Sequence, residues 1–520
     1  MKKLFLPLLF CFALVAGKSQ TRYLDTTFFP TIRVDETVVY ATNFTILAKF
    51  FAQSPRTIRQ PLITDIYRPP ATDTATKRPL VIYLHGGNFL PNNATGPGGG
   101  LRDSTAIEIC RRLAKMGYVS ASVDYRVGWA PTLADESMKR YTLINAAFRG
   151  IQDLNTAIRF FKRNAETYGI DSTKIVVWGQ GTGGYISLAA STFNTIADSA
   201  KFDTTTYGPK KFFVGTNRMV QPWVNGDLEG KTQTIAPNGY WDGIISSIDT
   251  MSVANHTANT SNFHMQVNMG GALGDLHWAD SRTIPGISFH VPYDQFAPYQ
   301  NGVLFVNTPR GPEPVIRVQG ADSIQRKLER LGVNAKLNAT KLKAANNPYQ
   351  TIFNTRNGGL INGLFPLLGD TLTDSSPWDF WASTNPQNAN GLAGNPRMSA
   401  ARARRYIDTM FTIYAPRACV VLNLPCASLV SSTEELLQGY NTKLVVAPNP
   451  AQKFITFDSD VTNPIQTIEL FDVSGRSMKQ VRNINNHFYQ LDRGTLPNGL
   501  YIAKVKFEGG ILSKKIILEQ

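Results

Sequence analysis

Between about Thr21 and Pro425, short apolar runs of β type alternate with amphipathic helical stretches, and this alternation constrains the fold more than any other feature. Pro79-Leu-Val-Ile-Tyr-Leu84 is a compact apolar run before a glycine pair and reads as a buried strand. Ser104–Met116 follows with Ile107, Ile109, Leu113 and Met116 at helical spacing. Tyr118–Asp124 reads as the next strand, Ala147–Asn164 as a helix, Lys174–Trp178 as a strand and Thr182–Ala190 as a helix. Repeated β–α units of this kind predict an α/β fold, a mostly parallel sheet with helices on both faces. Thr195–Thr260, rich in Asn, Thr, Gly and Trp, reads as an insertion or cap over the sheet edge. A second apolar run, Gly286–His290, leads to Asp294. Asp322–Leu331 reads as a helix, Ala335–Leu337 as the last strand, Asn346–Pro396 as loop, and Ala400–Ile413 as the closing helix.

The pattern changes after a polar linker at residues 431–443. Period-two runs at Lys443–Val446, Lys453–Asp458, Thr467–Asp472, Leu500–Phe507 and Ile511–Leu518, separated by Pro, Asn and Gly turns, predict a small β-sandwich over 444–520. At the other end, Lys2 and Lys3 precede the apolar run Leu4–Ala16, too short to span a membrane, and polar residues follow at once. Residues 1–20 therefore read as a secretory signal peptide, with the cleavage point open between Gly17 and Gln20. That leaves residues 21–430 as the main body. No other segment offers about eighteen uninterrupted apolar residues, so no transmembrane segment is expected.

Composition narrows the function classes. The formal charge of +15 is carried by scattered Lys and Arg, with no basic block interleaved with aromatics, so a solvated basic surface is expected and no nucleic acid. Export permits disulfides, and the close spacing of Cys419 and Cys426 makes that pair the best candidate. Cys110, inside a helical pattern, reads as a buried thiol.

Ala447-Pro-Asn-Pro450, Ile468-Glu-Leu-Phe-Asp-Val-Ser-Gly475, Leu496-Pro-Asn-Gly-Leu-Tyr501 and the ending Lys514-Lys-Ile-Ile-Leu518 resemble the type IX secretion sorting domain of Bacteroidetes. The resemblance implies handling by the type IX secretion machinery, passage across the outer membrane, and release or anchoring outside the cell.

Four motifs between Tyr83 and Gly184 make the body resemble carboxylesterases and related lipases of the α/β-hydrolase fold. In Tyr83-Leu-His-Gly-Gly-Asn-Phe89, the resemblance implies that Gly86 and Gly87 lend amides to an oxyanion hole, where a side chain would block the substrate oxygen. Ser122-Val-Asp-Tyr-Arg126 is similar to the family's strand ending in Tyr-Arg. Arg149-Gly-Ile-Gln-Asp153 resembles the helix before the nucleophile strand, and its Arg and Asp read as structural. Lys174-Ile-Val-Val-Trp-Gly-Gln-Gly-Thr-Gly-Gly184 is similar to the strand, Gly-x-Ser-x-Gly-Gly and helix of the nucleophile elbow. Alignment on Gly179, Gly183 and Gly184 puts Gly181 where the family has serine, so the nucleophile position is vacant. Thr182 then matches the residue whose amide completes the oxyanion hole.

Gly286–Tyr299 resembles the segment carrying the triad carboxylate, which assigns the acid position to Asp294 and makes His290 a structural histidine. The base should follow the acid in chain order. After Asp294 the sole histidine is His487, in the sorting domain, and the expected region Lys341–Leu364 has none. Histidine spacing supplies no metal set, and no phosphate- or dinucleotide-binding fingerprint is met, so no cofactor is expected. Two readings stand at this point. In one, an exported esterase-like protein with a degenerate triad binds a small ester, carbohydrate or peptide ligand without turning it over; Trp378-Asp-Phe-Trp381, Trp223 and Trp241 are candidates to line its cleft. In the other, a secreted carboxylic ester hydrolase works through Thr182 and His277 with Asp294 or Asp275.

Overall fold

A computed structural model of the chain describes residues 22–91, 99–193, 201, 211–308, 311–339, 361, 363–369, 371–427, 444–459, 461, 464–472, 476–507 and 510–519. The leader at 1–20 and the linker at 431–443 lie outside the described residues, as does part of the insertion expected at Thr195–Thr260. The chain divides into two compact units, Met1–Asn334 with Lys343–Cys426, and Ala335–Leu342 with Ala427–Gln520.

In the first unit eight strands form one sheet: β1 (Arg33–Thr45), β2 (Ile58–Arg68), β3 (Arg78–Leu84), β4 (Val119–Val123), β5 (Ile170–Gln180), β6 (Met265–Met269), β7 (Gly286–His290) and β8 (Leu364–Pro366). Their spatial order is β1-β2-β4-β3-β5-β6-β7-β8. β1–β2 and β2–β4 pair antiparallel, and the other pairs are parallel. Every residue of β3 is buried, because helices cover both faces of the sheet. Leu80, Ile82 and Leu84 join the core beneath helices α2 (Glu136–Arg163) and α3 (Thr182–Thr192). On the opposite face, Trp178 of β5 packs its ring 5.7 Å from Phe411 and 4.8 Å from Tyr414 of α5 (Ala400–Val421). Helix α1 (Ser104–Met116) lies on the same side, where the Arg112 guanidinium pairs with Asp408.

Helix α2 starts eleven residues before the position read from the sequence, at Glu136 rather than Ala147. Its start is fixed by Asp135, whose carboxylate accepts hydrogen bonds from the amides of Ser137 and Met138. The pair Arg126–Asp153 is fully buried at 2.8 Å, and Asp153 also accepts the Arg126 amide, so this carboxylate ties the loop after β4 to α2. Cys110 is buried, and Cys419 and Cys426 form a disulfide that ties the last turn of α5 to the segment after it.

The expected last strand at Ala335–Leu337 is instead a 3-10 turn, Ala335–Ala339. The side chain of the preceding Asn334 accepts the Gly286 amide and donates to the Gln325 side chain. The last strand comes later, at β8, parallel to β7. Helix α5 also overruns its expected end at Ile413, continuing through Pro416 to Val421.

The second unit carries two antiparallel sheets. One has three strands in the order Val445–Ala447, Phe454–Asp458, Phe488–Asp492; the other has four, Ser477–Asn486, Ile465–Asp472, Gly499–Phe507, Gly510–Leu518. Ile455 and Phe457 from the first share one core with Ile468, Leu470, Val505 and Ile516 from the second, a β-sandwich.

Candidate active site

Strand β5 ends at Gln180 and α3 begins at Thr182, so Gly181 alone makes the turn, at φ 53° and ψ −116°. A residue with a side chain holds that conformation only under backbone strain. The glycines around it are needed for space. A Cβ on Gly179 would stand 2.0 Å from the Gly183 carbonyl oxygen, one on Gly183 2.2 Å from the Leu84 oxygen, and one on Gly184 2.5 Å from Asn268 Oδ1. Gly181 differs: a Cβ there would meet only the Gly86 Cα, at 3.5 Å, an ordinary contact. The chain makes the elbow, and room for a side chain remains at its tip.

The His-Gly-Gly segment faces this turn. His85 is buried, with Nδ1 2.7 Å from the Gly86 carbonyl and Nε2 3.3 Å from Asp124 Oδ1. Burial is the largest influence and works to lower its pKa, but the bond to Asp124, that carboxylate's charge and the bond to the Gly86 carbonyl together outweigh it, and the net shift is upward. Its ring stacks on Tyr125 at 4.6 Å, so it is a packed strut beneath the glycines. Among the described residues, the amides of Gly86, Gly87 and Thr182 have no hydrogen-bond acceptor. The Thr182 hydroxyl is engaged with the Tyr125 phenol at 2.9 Å, and that phenol donates to the His85 carbonyl at 2.8 Å.

Asp294 stands on the turn after β7 with its side chain 4% exposed. Its Oδ1 accepts the amides of Phe296 and Ala297 at 2.8 and 3.2 Å. Burial outweighs these bonds and pushes the carboxyl up to about 7. A Cβ on Gly270, two residues beyond the Asn268 that touches the elbow, would lie 3.4 Å from Asp294 Oδ2 and 3.5 Å from Trp378 Cζ2. The indole and the carboxyl therefore border the same glycine. His290 Nε2 is 3.8 Å from Asp294 Oδ2 but lies 2.9 Å from the Ala297 carbonyl, to which it donates, and burial pushes its pKa down to about 4. His277 is 67% exposed and pairs with Asp275 at 2.9 Å, and Asp275 also faces Lys211 at 3.4 Å. Among the described residues, no hydrogen bond joins His277 to Thr182 or Asp294. Because β8 ends at Pro366, the loop beyond the last strand is Leu367–Pro377 rather than the region before Leu364, and it too lacks histidine.

An apolar cleft with about 100 Å³ of free space opens at Gly181, Thr182 and Gly270. Phe148 of α2 and Trp129 form part of its wall, and Leu304 and Ile316 reach it from the hairpin Asn301–Thr308/Gly311–Gln319. The aromatic candidates from the sequence lie elsewhere: Trp378 is buried beside Gly270, and Trp223 is 59% exposed against Tyr240. Sequence reading also missed a polar network behind the elbow. Tyr83 donates to the Gln180 side chain, Gln180 donates to both oxygens of Asp379 at 2.7 and 3.0 Å, and Thr105 donates to the same carboxyl at 2.8 Å. Burial pushes Asp379 up to about 7. Among the described residues there is no group of three or more His, Cys, Asp or Glu able to hold a metal ion.

A mostly parallel sheet whose fifth strand runs through a glycine elbow into a helix, opposite a His-Gly-Gly loop and an acid after the seventh strand, defines the α/β-hydrolase class. Comparison with known proteins agrees with that architecture and adds detail: residues 64–216 match the BD-FAE family, and residues 445–519 match the secretion system C-terminal sorting domain. The chain thus carries an esterase-like α/β-hydrolase domain and a C-terminal sorting domain. Carboxylesterase 3B of Mus musculus is 29% identical over 128 residues, 24% of this chain and 19% of the mouse protein, so the chain spans about a fifth of that relative's length. Among solved structures, Thermogutta terrifontis esterase 2 phosphorylated by paraoxon aligns at 16% identity with a TM-score of 0.33, covering 70% of this chain and 92% of the esterase. A bifunctional GH43-CE protein of Bacteroides eggerthii aligns at 17% identity with a TM-score of 0.30, covering 51% of this chain and 31% of that one.

Proposed function

We propose that the body is an exported esterase-like binding protein whose hydrolytic pair is missing, and that its sorting domain delivers it through the type IX secretion machinery to the cell surface or the medium. One observation carries the reading: the elbow, the free amides of Gly86, Gly87 and Thr182, and the apolar cleft persist around a position where glycine stands. An ester or a related small ligand fits that setting, its carbonyl toward the amides and its apolar part in the cleft. Attack on the carbonyl needs a hydroxyl and a proton acceptor within hydrogen-bond reach of each other. The hydroxyl of Thr182, the residue after Gly181, is engaged with Tyr125.

Purified protein should hydrolyse p-nitrophenyl esters no faster than the residual ~10³–10⁴ over water that oxyanion stabilisation and binding leave when a triad is removed. A fluorophosphonate probe should leave it unlabelled. Turnover above that level that disappears in Thr182→Ala or His277→Ala would overturn the reading in favour of an atypical hydrolase.

Export is tested separately. Removing everything after Asn441 should move the protein from the cell exterior to the periplasm, read by fractionation. Normal delivery of the truncated chain would show that the sorting domain is not its address.

A further inference from the structure

Helix α2 lines the cleft with Leu143, Phe148 and Ile151, while Arg149 turns toward a second, smaller pocket. Arg149 is 4% exposed. Its Nη2 donates to the Gly128 carbonyl at 2.5 Å, and its Nε has no partner. The carboxylate one turn along the helix, Asp153, is taken up by Arg126, which meets it through Nε, Nη2 and its backbone amide. Two buried guanidiniums therefore share one carboxylate, and it is committed to the other arginine. Burial first, and then the charge of Arg126, push Arg149 down to about 9. Arg417 is also buried with an unpartnered Nε, but its guanidinium lies 4.5 Å over the Phe365 ring. Among the described residues, Arg149 makes no cation–π contact of that kind.

The pocket against Arg149 is bounded by Tyr141, Thr142, Asn145 and Asp242 together with Ile46 and Ile245, and has about 10 Å³ of free space. That is room for one sphere of about the size of a water molecule. We infer that this pocket is a binding site for a single monatomic anion of chloride size, held by the Arg149 guanidinium. The size excludes phosphate, sulfate and carboxylates. A water molecule would meet the free Nε–H but add no negative charge to two guanidiniums that share the single carboxylate of Asp153, a low-dielectric setting in which an anion is favoured. The one acid at the rim, Asp242, is turned to its own donors: the Tyr141 hydroxyl at 2.6 Å and the amides of Ile244 and Ile245, each at 2.9 Å.

The site would also brace the cleft. Gly128, the acceptor of Arg149, donates its own amide to the Phe89 carbonyl at 2.7 Å, and the adjacent Trp129 donates to the Asn88 carbonyl at 2.8 Å. Phe89, Asn88 and Trp129 all border the apolar cleft.

Bromide tests this directly. Crystals of the protein soaked in sodium bromide should show an anomalous peak within hydrogen-bonding reach of the Arg149 guanidinium. In solution, replacing gluconate by chloride at constant ionic strength should raise the melting midpoint saturably, by about 2–4 °C. Arg149→Met should abolish both signals. No peak at Arg149 together with identical chloride and gluconate curves would overturn the inference, whether or not the variant folds. A saturable chloride effect retained in Arg149→Met would overturn it as well, by placing the ion elsewhere.

Discussion

Gly183→Ala is expected to cost the hydrolase-fold unit more than about 4 kcal/mol, while Gly181→Ala costs about 1–3 kcal/mol. The two glycines lie two residues apart at the same elbow but are constrained differently. A methyl on Gly183 would enter the backbone beneath it, 2.2 Å from the Leu84 oxygen and 2.7 Å from the His85 oxygen. Neither can move without breaking the end of β3, the central strand of the sheet. A methyl on Gly181 meets nothing closer than 3.5 Å, so its cost is torsional alone, set by φ 53° and ψ −116°. Chemical denaturation of the two variants reads the difference. Equal losses would mean that the elbow is looser than its packing indicates, and a soluble, fully stable Gly183→Ala protein would contradict the close approach of α3 to β3.

The second large effect is a stability that falls as pH rises. Asp294 is held up to about 7 in the folded chain against 3.8 for a free side chain, so between those values the native state keeps a proton that the unfolded chain releases. Stability is then fullest below the unfolded pKa and declines as pH climbs toward the folded one. At 1.36 kcal/mol per unit the decline is on the order of 4 kcal/mol for this side chain, which is almost fully enclosed. Asp379, raised to the same value by burial, adds to the slope in the same window. Asp294→Asn keeps an oxygen for the amides of Phe296 and Ala297 and has no proton to lose. Its denaturation free energy should change between pH 4 and pH 8 by roughly 3–4 kcal/mol less than that of the parent. Parallel curves for parent and variant would mean that Asp294 is already ionised when folded.

The layout of the sheet was legible because its strands are apolar runs ended by glycine or a polar residue. Ser104–Met116 and Gly286–His290 were read to the residue, and the elbow was implied by the resemblance of Lys174–Gly184 to the family's strand, glycine turn and helix. Errors came where a local signal was weaker than the tertiary one. Ala335–Leu337 offered a short apolar stretch, but the side chain of Asn334 satisfies partners on β7 and α4 (Ala321–Arg330), which leaves a turn there. The closing helix was read only to Ile413, yet the packing of Phe411 and Tyr414 on Trp178 accompanies α5 on through Pro416 to Val421. In the site, glycine at position 181 and the missing histidine were visible in the chain itself. The cleft wall from the hairpin at 301–319 was not, because Pro312 and Pro314 break its alternation. Nor was the network of Thr105, Gln180 and Asp379, which joins three distant segments only once the sheet has formed.

What shapes the turn at residue 181 is its surroundings. Where a serine sits at such a bend, it carries a backbone tension that the rest of the molecule must hold. Here glycine relaxes it, while the crowding of Gly179, Gly183 and Gly184 against neighbouring backbone and Asn268 keeps the path of the chain the same. The bend therefore keeps its course with glycine at its tip, and a single codon change would place a side chain on a scaffold already curved to receive one.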